Sequence, residues 1–352
     1  MQIVFWLSFA FVFYVYLGYP AVLLIWRRIA PRPVKKEYWE PMVTLVIAAH
    51  NERHSIEAKL RNCLALDYPK RKLQIIVSLD GPTDGSEFAV WKYVSEGVEM
   101  AHSREHAGKA AALNRALRRA TGDIVVFADV RQTLSPNAIR ELAASFADES
   151  VGAVSGELLL LDESRKEATT EVGLYWRYEK ALRSMESEIH SIAGATGAIY
   201  AIRRELYEEL PEDTILDDVL TPLRIVLRGK RTVFEPEAKA YDSVACCPLA
   251  EYGRKVRTLC GNYQLLASLP QAVSPWRNPI FIQFVSHKLG RLLVPWALLA
   301  LFLTNLFMLR GIYAITFSLQ AAWYAFAVIG HFLSRREVTA PIVIAAESKR
   351  AA

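Results

Sequence analysis

The sequence predicts an α/β domain with a mainly parallel sheet, flanked by transmembrane helices. The first observation is that strand-like apolar segments alternate with helical segments between residues 42 and 161, which implies parallel strands with helices on both faces. The second is that uncharged apolar stretches lie near both ends of the chain, and a span needs about 20 apolar residues as a helix. The chain of 352 residues is 52% hydrophobic and 22% charged, too apolar for a purely soluble protein of this size.

The first apolar stretch, residues 3–26, is predicted to be an uncleaved membrane anchor. It has no basic leader and no small-residue cleavage pattern, and it is too long for the core of a signal peptide. Basic residues follow it directly, at Arg27, Arg28, Arg32, Lys35 and Lys36. Because Lys and Arg beside a span tend to stay in the cytoplasm, we expect the N-terminus outside and residues 27 to about 285 inside.

Two further spans are predicted at 292–309 and 311–334, with a turn outside at Arg310. Basic residues at 288, 291, 335 and 336 flank this pair on the cytoplasmic side. We therefore expect a multi-pass protein of a bacterial-type inner (plasma) membrane. The predicted segments are an anchor at 1–27, a linker at 28–41, a cytoplasmic domain at 42–270, an interfacial helix at 271–291, two spans at 292–334 and a tail at 335–352.

The charge and the cysteines exclude some classes of function. The net charge is +5, and much of the excess lies beside the spans, which suits anionic lipids and phosphate-bearing ligands. There is no alternation of basic and aromatic residues typical of an RNA-binding sheet, so no nucleic acid is expected. Cys63, Cys246, Cys247 and Cys260 fit neither a metal spacing nor a disulfide framework. Reduced cytosolic thiols are predicted.

The predicted elements alternate along the cytoplasmic part. The strands are expected at 42–52, 73–80, 98–103, 123–130 and 151–161. The helices are indicated by an apolar stripe at Ile56, Leu60, Cys63 and Leu64, by residues 109–120, and by Ser135 as N-cap with Pro136 at N1, opening a helix to about Phe146.

This order of strands and helices places three acids at the ends of predicted strands. Glu52, Asp80 and Asp129 each fall at or just after the carboxyl end of a predicted strand. Ligands of such sheets bind at those ends, so we expect the three acids to line one crevice. The chain has neither GxGxxG nor a Walker lysine loop, which argues against the usual dinucleotide and P-loop sites. Carboxylates can accept hydrogen bonds from a nucleotide base and a ribose, whereas phosphates would need a cation between them and the carboxylates.

The segments "VIAAHNE", "SLDGPTDGS", "GKAAALN" and "VVFADVRQ" together resemble the nucleotide-sugar half of a family 2 glycosyltransferase with a GT-A fold. The resemblance continues in "GATGAIYAIRREL" and "ILDDVL", the acceptor half, and runs from about Met42 to Gln264. With its spans, the chain resembles the membrane-embedded enzymes related to cellulose, chitin and hyaluronan synthases and to bacterial exopolysaccharide glycosyltransferases.

That resemblance implies roles on the donor side. Asp80 would bind the base, and Glu52 or the adjacent backbone would bind the ribose. Lys109 follows a glycine and begins a helix, so it would meet the diphosphate beside the positive helix end. A solvated surface lysine is the alternative for Lys109. For Asp84 and Ser86 ordinary turn chemistry is the preferred interpretation.

The metal motif of the family is altered in this chain. Asp129 stands for the first acid of Asp-X-Asp, but Arg131 occupies the place of the second. Either Asp129 ligates a divalent metal (Mg²⁺ or Mn²⁺) with waters and phosphates supplying the remaining ligands, or Arg131 neutralises the leaving group directly. Because one or two protein carboxylates suffice when phosphates help, we expect the metal to be retained.

The acceptor half supplies the remaining candidates. The resemblance makes Asp218 the base that takes the acceptor proton and places Asp217 on the donor side; the alternative is an acid pair that satisfies a helix dipole. Arg257 matches the arginine of the Gln-X-X-Arg-Trp motif of processive relatives and would contact the diphosphate, but Thr258 replaces the Trp. Trp176 would then stack on the acceptor, with a core or membrane-facing role as the alternative.

Together these features imply an inverting glycosyltransferase that moves a sugar from a nucleotide-diphosphate sugar to a glycan or a lipid-linked acceptor at the membrane. No spare acid is placed for a covalent intermediate. Three spans are few for a polymer channel, so a homo-oligomer, a membrane partner protein or a lipid-linked acceptor is expected. Two rivals remain open: a polyprenyl-phosphate sugar transferase, and a non-catalytic nucleotide-sugar-binding component of an export complex.

Overall fold

The computed structural model describes the backbone of residues 1–162, 167–168, 170–243 and 248–348, and the side chains of 1–161, 175–243 and 252–330. Cys246 and Cys247 lie outside the described residues, as do the side chains of Arg335 and Arg336. The chain divides into two compact units. The larger comprises Ala21–Val244 and Arg257–Lys288, and the smaller comprises Met1–Pro20, Ala245–Val256 and Leu289–Ala352.

The described strands of the larger unit form one sheet of nine strands, in the order β3-β2-β1-β4-β8-β6-β9-β5, with β7 paired to β6. Their bounds are β1 Val43–Ala49, β2 Leu73–Asp80, β3 Val98–Ser103, β4 Ile124–Ala128, β5 Thr133–Leu134, β6 Val151–Asp162, β7 Glu167–Ala168, β8 Ile199–Arg203 and β9 Arg231–Ser243.

The first half of the sheet is parallel, as predicted. Strands β3, β2, β1 and β4 pair in parallel. Strands β1 and β4 are buried along nearly their whole length, which explains their continuous apolar runs. The second half is mixed, because β8 pairs antiparallel with β4 and β6, whereas β6 and β9 are parallel. No local sequence pattern predicted β8 or β9.

Helices cover both faces of the sheet. The helices of the larger unit, or shared with it, are α2 Tyr19–Ile29, α3 Arg53–Leu64, α4 Ser86–Trp91, α5 Lys109–Leu117, α6 Ala138–Ser145, α7 Thr170–Ile189, α8 Asp217–Leu227, α9 Pro248–Ser268 and α10 Phe281–Gln283. One core packs α3, α4 and α6 against Leu45 and Ile47, while the other packs α5, α8 and the end of α9 against Val46 and Ile76. Alternate residues of a strand thus face opposite cores. Helix α6 begins at Ala138, two positions after the predicted Pro136.

Within the part of the chain that the structure describes, three helical stretches are long and apolar enough to cross a membrane: Gln2–Ile29, Phe281–Leu306 and Ile312–Gly330. They include α1 Gln2–Phe13, α11 Gly290–Leu306 and the first part of α12 Ile312–Ser348. Within the smaller unit, the Asn305 amide donates to Thr316 Oγ1 at 3.0 Å, a polar link between α11 and α12. The division of the chain into anchor, linker, domain, interfacial helix, spans and tail stays a prediction.

Candidate active site

A lysine joins two acids at the carboxyl ends of the parallel strands. The Lys109 Nζ lies 3.1 Å from Asp129 Oδ1 and 3.2 Å from Asp217 Oδ1. Asp129 directly follows β4, Lys109 begins α5, and Asp217 begins α8. Three elements that are far apart in the sequence therefore bring one cation and two carboxylates together.

Asp218 lies beside this group. A Cβ atom built on Gly197 would be 3.2 Å from Asp218 Oδ2 and 3.5 Å from Asp129 Oδ2. The two carboxylates therefore flank a small space that exists because residue 197 has no side chain. We refer to Lys109, Asp129, Asp217 and Asp218 as the acid cluster.

Burial and neighbouring charges shift the pKa values of Asp218 and Lys109 in the acid cluster. Burial, and then the charge of Asp217, raises the pKa of the Asp218 carboxyl from 3.8 to about 6, against the opposing charges of Lys109 and Lys288. Burial would lower the pKa of Lys109, but the charges of Asp217, Asp129 and Asp218 outweigh it and hold that pKa well above its ordinary value. Lys109 is therefore a permanent cation, and Asp218 is a carboxylate poised near neutrality.

Asp217 is held by a second partner. It is buried, and its Oδ2 accepts a long hydrogen bond from the Tyr200 hydroxyl at 3.5 Å. Burial and the negative charge of Asp217 raise the pKa of Tyr200 above its usual value, so the hydroxyl keeps its proton and remains a donor. Asp217 and Asp218 also stand in the first turn of α8, where carboxylates are favoured by the helix dipole. The helix-dipole interpretation and a role in the site are thus compatible.

Asp80, the last residue of β2, fixes the loop that leads to Lys109. Its buried carboxylate accepts the backbone N–H of Gly108 at 2.7 Å and that of Ala107 at 3.2 Å. It also lies 2.8 Å from His106 Nδ1 and 3.5 Å from an Arg115 nitrogen. Gly108 adopts φ 94° and ψ 167°, a conformation open almost only to glycine. Asp80 thus positions the start of α5 and, through it, Lys109.

The loop 81–86 is shaped by its own side chains. Asp84 accepts hydrogen bonds from the backbone N–H of Arg53 at 2.9 Å and of Ser86 at 3.0 Å. The Ser86 hydroxyl accepts the backbone N–H of Glu52 at 3.1 Å. These contacts agree with the turn chemistry expected for Asp84 and Ser86. The half-buried Glu52 stands at the head of α3, beside the end of β1.

Some predicted residues make no contact with the acid cluster. Arg131 and Arg257 are both exposed, and no residue in the described parts of the chain pairs with either guanidinium. Trp176 is half-buried on α7, with the Tyr175 ring edge-on at 6.5 Å. The roles of Glu52, Asp80, Arg131, Arg257 and Trp176 stay predictions, as do those of the acid cluster.

Two residues near the acid cluster make supporting contacts that the sequence did not predict. The buried Lys59 donates a hydrogen bond to the backbone carbonyl of Gln132, the residue after Arg131, at 2.8 Å. Burial lowers the pKa of Lys59, although the negative charges of Cys63 and Asp129 act in the opposite direction. The sequence pattern that could have indicated Lys59 is its position on the apolar stripe of α3. On α9, the Gln264 amide donates to the Asp213 carbonyl at 2.7 Å and accepts from the Ile215 N–H at 3.0 Å. Gln264 thus braces the loop before Asp217, which no local pattern indicates.

The acid cluster suits a divalent cation in part. Among the described residues, no group of three or more His, Cys, Asp or Glu side chains is arranged to hold a metal by itself. However, Asp129 Oδ2 points toward the space above Gly197, its side chain is 41% exposed, and carboxylate oxygens are the ligands that Mg²⁺ and Mn²⁺ prefer. The residues therefore fit a metal that takes one protein carboxylate and completes its shell with ligand oxygens and water.

Residues 44–211 match the family model "Glycosyl transferase family 2". The chain is 24% identical over 247 residues to poly-beta-1,6-N-acetyl-D-glucosamine synthase of Staphylococcus aureus, an alignment that covers 68% of this chain. It is 26% identical over 212 residues to the probable glycosyltransferase YdaM of Bacillus subtilis, covering 57% of this chain. These alignments span 59% and 50% of the two relatives, so the chain matches about half of their length.

Among solved structures, the chain resembles mannosyltransferase PcManGT from Pyrobaculum calidifontis in complex with GDP-Man and Mn²⁺. The TM-score is 0.70 at 25% sequence identity, over 92% of this chain and 98% of the other. This likeness confirms the predicted GT-A fold. The matched domain contains β1 to β4, Asp80, Lys109 and Asp129. Residues 44–211 therefore form a domain that matches glycosyltransferase family 2.

Proposed function

We propose that this protein is a membrane-bound inverting glycosyltransferase that moves a sugar from a nucleotide-diphosphate sugar to a membrane-proximal acceptor in polysaccharide synthesis. The observation that carries the proposal is the convergence of Lys109, Asp129, Asp217 and Asp218 where the parallel strands of a family 2 domain end. Ligands of such sheets bind at this edge.

The donor would be held by residues of the first half of the sheet. Asp80 and Glu52 stand at the ends of β2 and β1, where the base and the ribose would lie. Lys109 would meet the diphosphate at the first turn of α5, and Asp80 fixes that turn through the Gly108 N–H. Arg257, on α9, is exposed and would add a second cation for the diphosphate.

Asp218 would act as the general base. Its pKa of about 6 leaves it ionised at pH 7 and yet more basic than an ordinary aspartate. It would take the proton of the acceptor hydroxyl as that oxygen attacks the anomeric carbon. The bond between the anomeric carbon and the phosphate oxygen breaks, the nucleoside diphosphate leaves, and the configuration at the anomeric carbon inverts. Asp217, which is bonded to Lys109 and Tyr200, would keep the first turn of α8 in place.

A divalent cation bound by Asp129 would neutralise charge that develops on the diphosphate leaving group. The space above Gly197 and the oxygen chemistry of Asp129 support this cofactor, and PcManGT was solved with Mn²⁺. Arg131, two residues on, is exposed and would supplement that charge from the protein side.

The acceptor would be a growing glycan or a lipid-linked sugar at the inner leaflet. The apolar helical stretches support a multi-pass membrane protein, and the basic residues beside them support a cytoplasmic catalytic domain. The relation to a poly-N-acetylglucosamine synthase supports polymer synthesis. Trp176 offers a ring for stacking on the acceptor sugar. A homo-oligomer or a membrane partner would complete a path for a long polymer.

The test is to supply the purified chain, in lipid nanodiscs, with labelled UDP-N-acetylglucosamine or GDP-mannose, Mn²⁺ and membrane lipids. Release of nucleoside diphosphate, together with a labelled glycan, is expected with one of these donors, and Asp218→Asn should stop it. A product that migrates as a single lipid-linked sugar would instead assign the polyprenyl-phosphate transferase. Absence of release with every nucleotide sugar would favour the non-catalytic component.

A further inference from the structure

The position of Lys109 is unexpected for a residue that is to hold a diphosphate. In the structure its ammonium group is bonded to carboxylates, 3.1 Å from Asp129 and 3.2 Å from Asp217. Three carboxylates and one ammonium make up the acid cluster, so Lys109 cancels one of three negative charges. It does so on Asp129, the carboxylate proposed to hold the metal.

A metal and this ammonium group would compete for Asp129. Asp129 Oδ1 is taken by Lys109, which leaves Oδ2, toward Gly197, for another cation. A divalent ion there would lie within a few ångströms of the ammonium, and like charges at that distance repel strongly even at the effective dielectric of a protein surface. Lys109 would have to move away for Asp129 to bind a metal with its full charge.

The side chain of Lys109 is able to move. It is 35% exposed, and a lysine carries its charge on a flexible four-carbon stem. Its backbone, in contrast, is anchored, because Asp80 binds the Gly108 N–H at 2.7 Å and Ala112 N–H bonds to the Gly108 carbonyl at 3.1 Å. The ammonium can therefore swing between the carboxylates and a neighbouring anion without any rearrangement of α5.

We infer that Lys109 is a built-in counter-cation that occupies the acid cluster in the donor-free protein and passes to the diphosphate when the donor binds, which releases Asp129 for the metal. This inference rests on the proposed function and adds an order to it. Metal binding would be weak before the nucleotide sugar arrives and strong afterwards. In the donor-free protein, the Lys109 ammonium would also offset the repulsion among the three crowded carboxylates.

The test measures Mn²⁺ binding to the full chain in nanodiscs without any nucleotide, from the electron paramagnetic resonance signal of free Mn²⁺. Lys109→Met removes the competing charge and should tighten Mn²⁺ binding by roughly tenfold or more. Lys109→Arg keeps a charge and should bind Mn²⁺ about as weakly as the wild type. Lys92→Met is the matched control, because Lys92 pairs with Glu57 on the exposed surface between α3 and α4, and it should leave Mn²⁺ binding unchanged.

Lys109→Gln is a second neutral variant, chosen in case Lys109→Met misfolds, because its amide still donates hydrogen bonds to the carboxylates. It should tighten Mn²⁺ binding as much as Lys109→Met does. The gain should vanish in the double variant with Asp129→Asn. Equal or weaker Mn²⁺ binding by the folded neutral variants overturns the inference. Turnover of nucleotide sugar by the wild type tests the proposed function separately. If the wild type turns over but the neutral Lys109 variants bind Mn²⁺ no more tightly, only the counter-cation inference is refuted. If those variants bind Mn²⁺ more tightly but the wild type shows no turnover, the transferase assignment is refuted.

Discussion

Replacing Asp218 by asparagine should abolish activity and at the same time stabilise the fold. The amide cannot accept the proton of the acceptor hydroxyl, and a positioned base contributes about 10²–10⁴-fold to rate. Asn keeps the shape of the side chain and removes its charge. A residue with only a structural role would lose stability when it is changed, so the two readouts together separate the interpretations.

The gain in stability follows from the pKa of Asp218. Burial and Asp217 raise that pKa from 3.8 to about 6, so the proton is bound more tightly in the folded state than in the unfolded state. The stabilising contribution of the bound proton is complete below pH 3.8 and is lost as the pH rises through about 6. A shift of this size corresponds to at most about 3 kcal/mol, and we expect about 1–3 kcal/mol for this partly exposed group. Asn resembles the protonated form at every pH.

The assay is thermal unfolding of both proteins in nanodiscs from pH 4 to pH 8. The variant should match the wild type near pH 4 and exceed it above pH 6, by about 2–4 °C for each kcal/mol. Asp84→Asn is the control of opposite sign: slight burial raises the Asp84 pKa, but hydrogen bonds from Ser86 and Arg53 outweigh it and lower that pKa, so this variant should lose stability at neutral pH. Equal melting temperatures of wild type and Asp218→Asn at pH 8 would refute the raised pKa, and retained turnover would refute the base.

Further changes probe the rest of the site. The rate of nucleoside diphosphate release by the wild type should fall on the acid side with a midpoint near pH 6, as Asp218 becomes protonated; a flat profile from pH 5 to pH 8 would contradict this. Gly197→Ala should weaken Mn²⁺ binding by about tenfold or more, because the methyl group fills the space beside Asp129, and calorimetry with Mn²⁺ tests it. Asp80→Asn should cost about 1–3 kcal/mol of stability and weaken nucleotide binding, since an amide offers one acceptor oxygen in place of two; an unchanged Kd for the nucleotide would argue against its role. Gln264→Ala should lower kcat about tenfold with little change in KM for the donor, because the loop before α8 loses its brace; equal kcat in a folded variant would exclude that role.

Local patterns were enough to predict the parallel half of the sheet. The continuous apolar runs of β1, β2 and β4 are properties of neighbouring residues, and the alternation of these runs with helical stripes implies parallel pairing. Local patterns did not predict strand β8, because its five residues, Ile199–Arg203, pair antiparallel with two strands that lie far away in the sequence. The start of α6 was misplaced by two residues because Ser135 and Pro136 form a turn before the first helical residue, Ala138.

The sequence by itself determined the resemblance to family 2 glycosyltransferases, the apolar helical stretches and the set of acids at strand ends, because motif order, hydrophobic length and strand polarity are all written along the chain. Only the tertiary structure decided that the ammonium of Lys109 bonds to Asp129 and Asp217, that Asp80 is bound by the loop before Lys109, and that Gln264 braces the loop before α8. Hydrogen bonds and charge interactions depend on distances between atoms, and packing sets those distances between segments that are remote in sequence. For the same reason the raised pKa of Asp218 exists only in the folded chain.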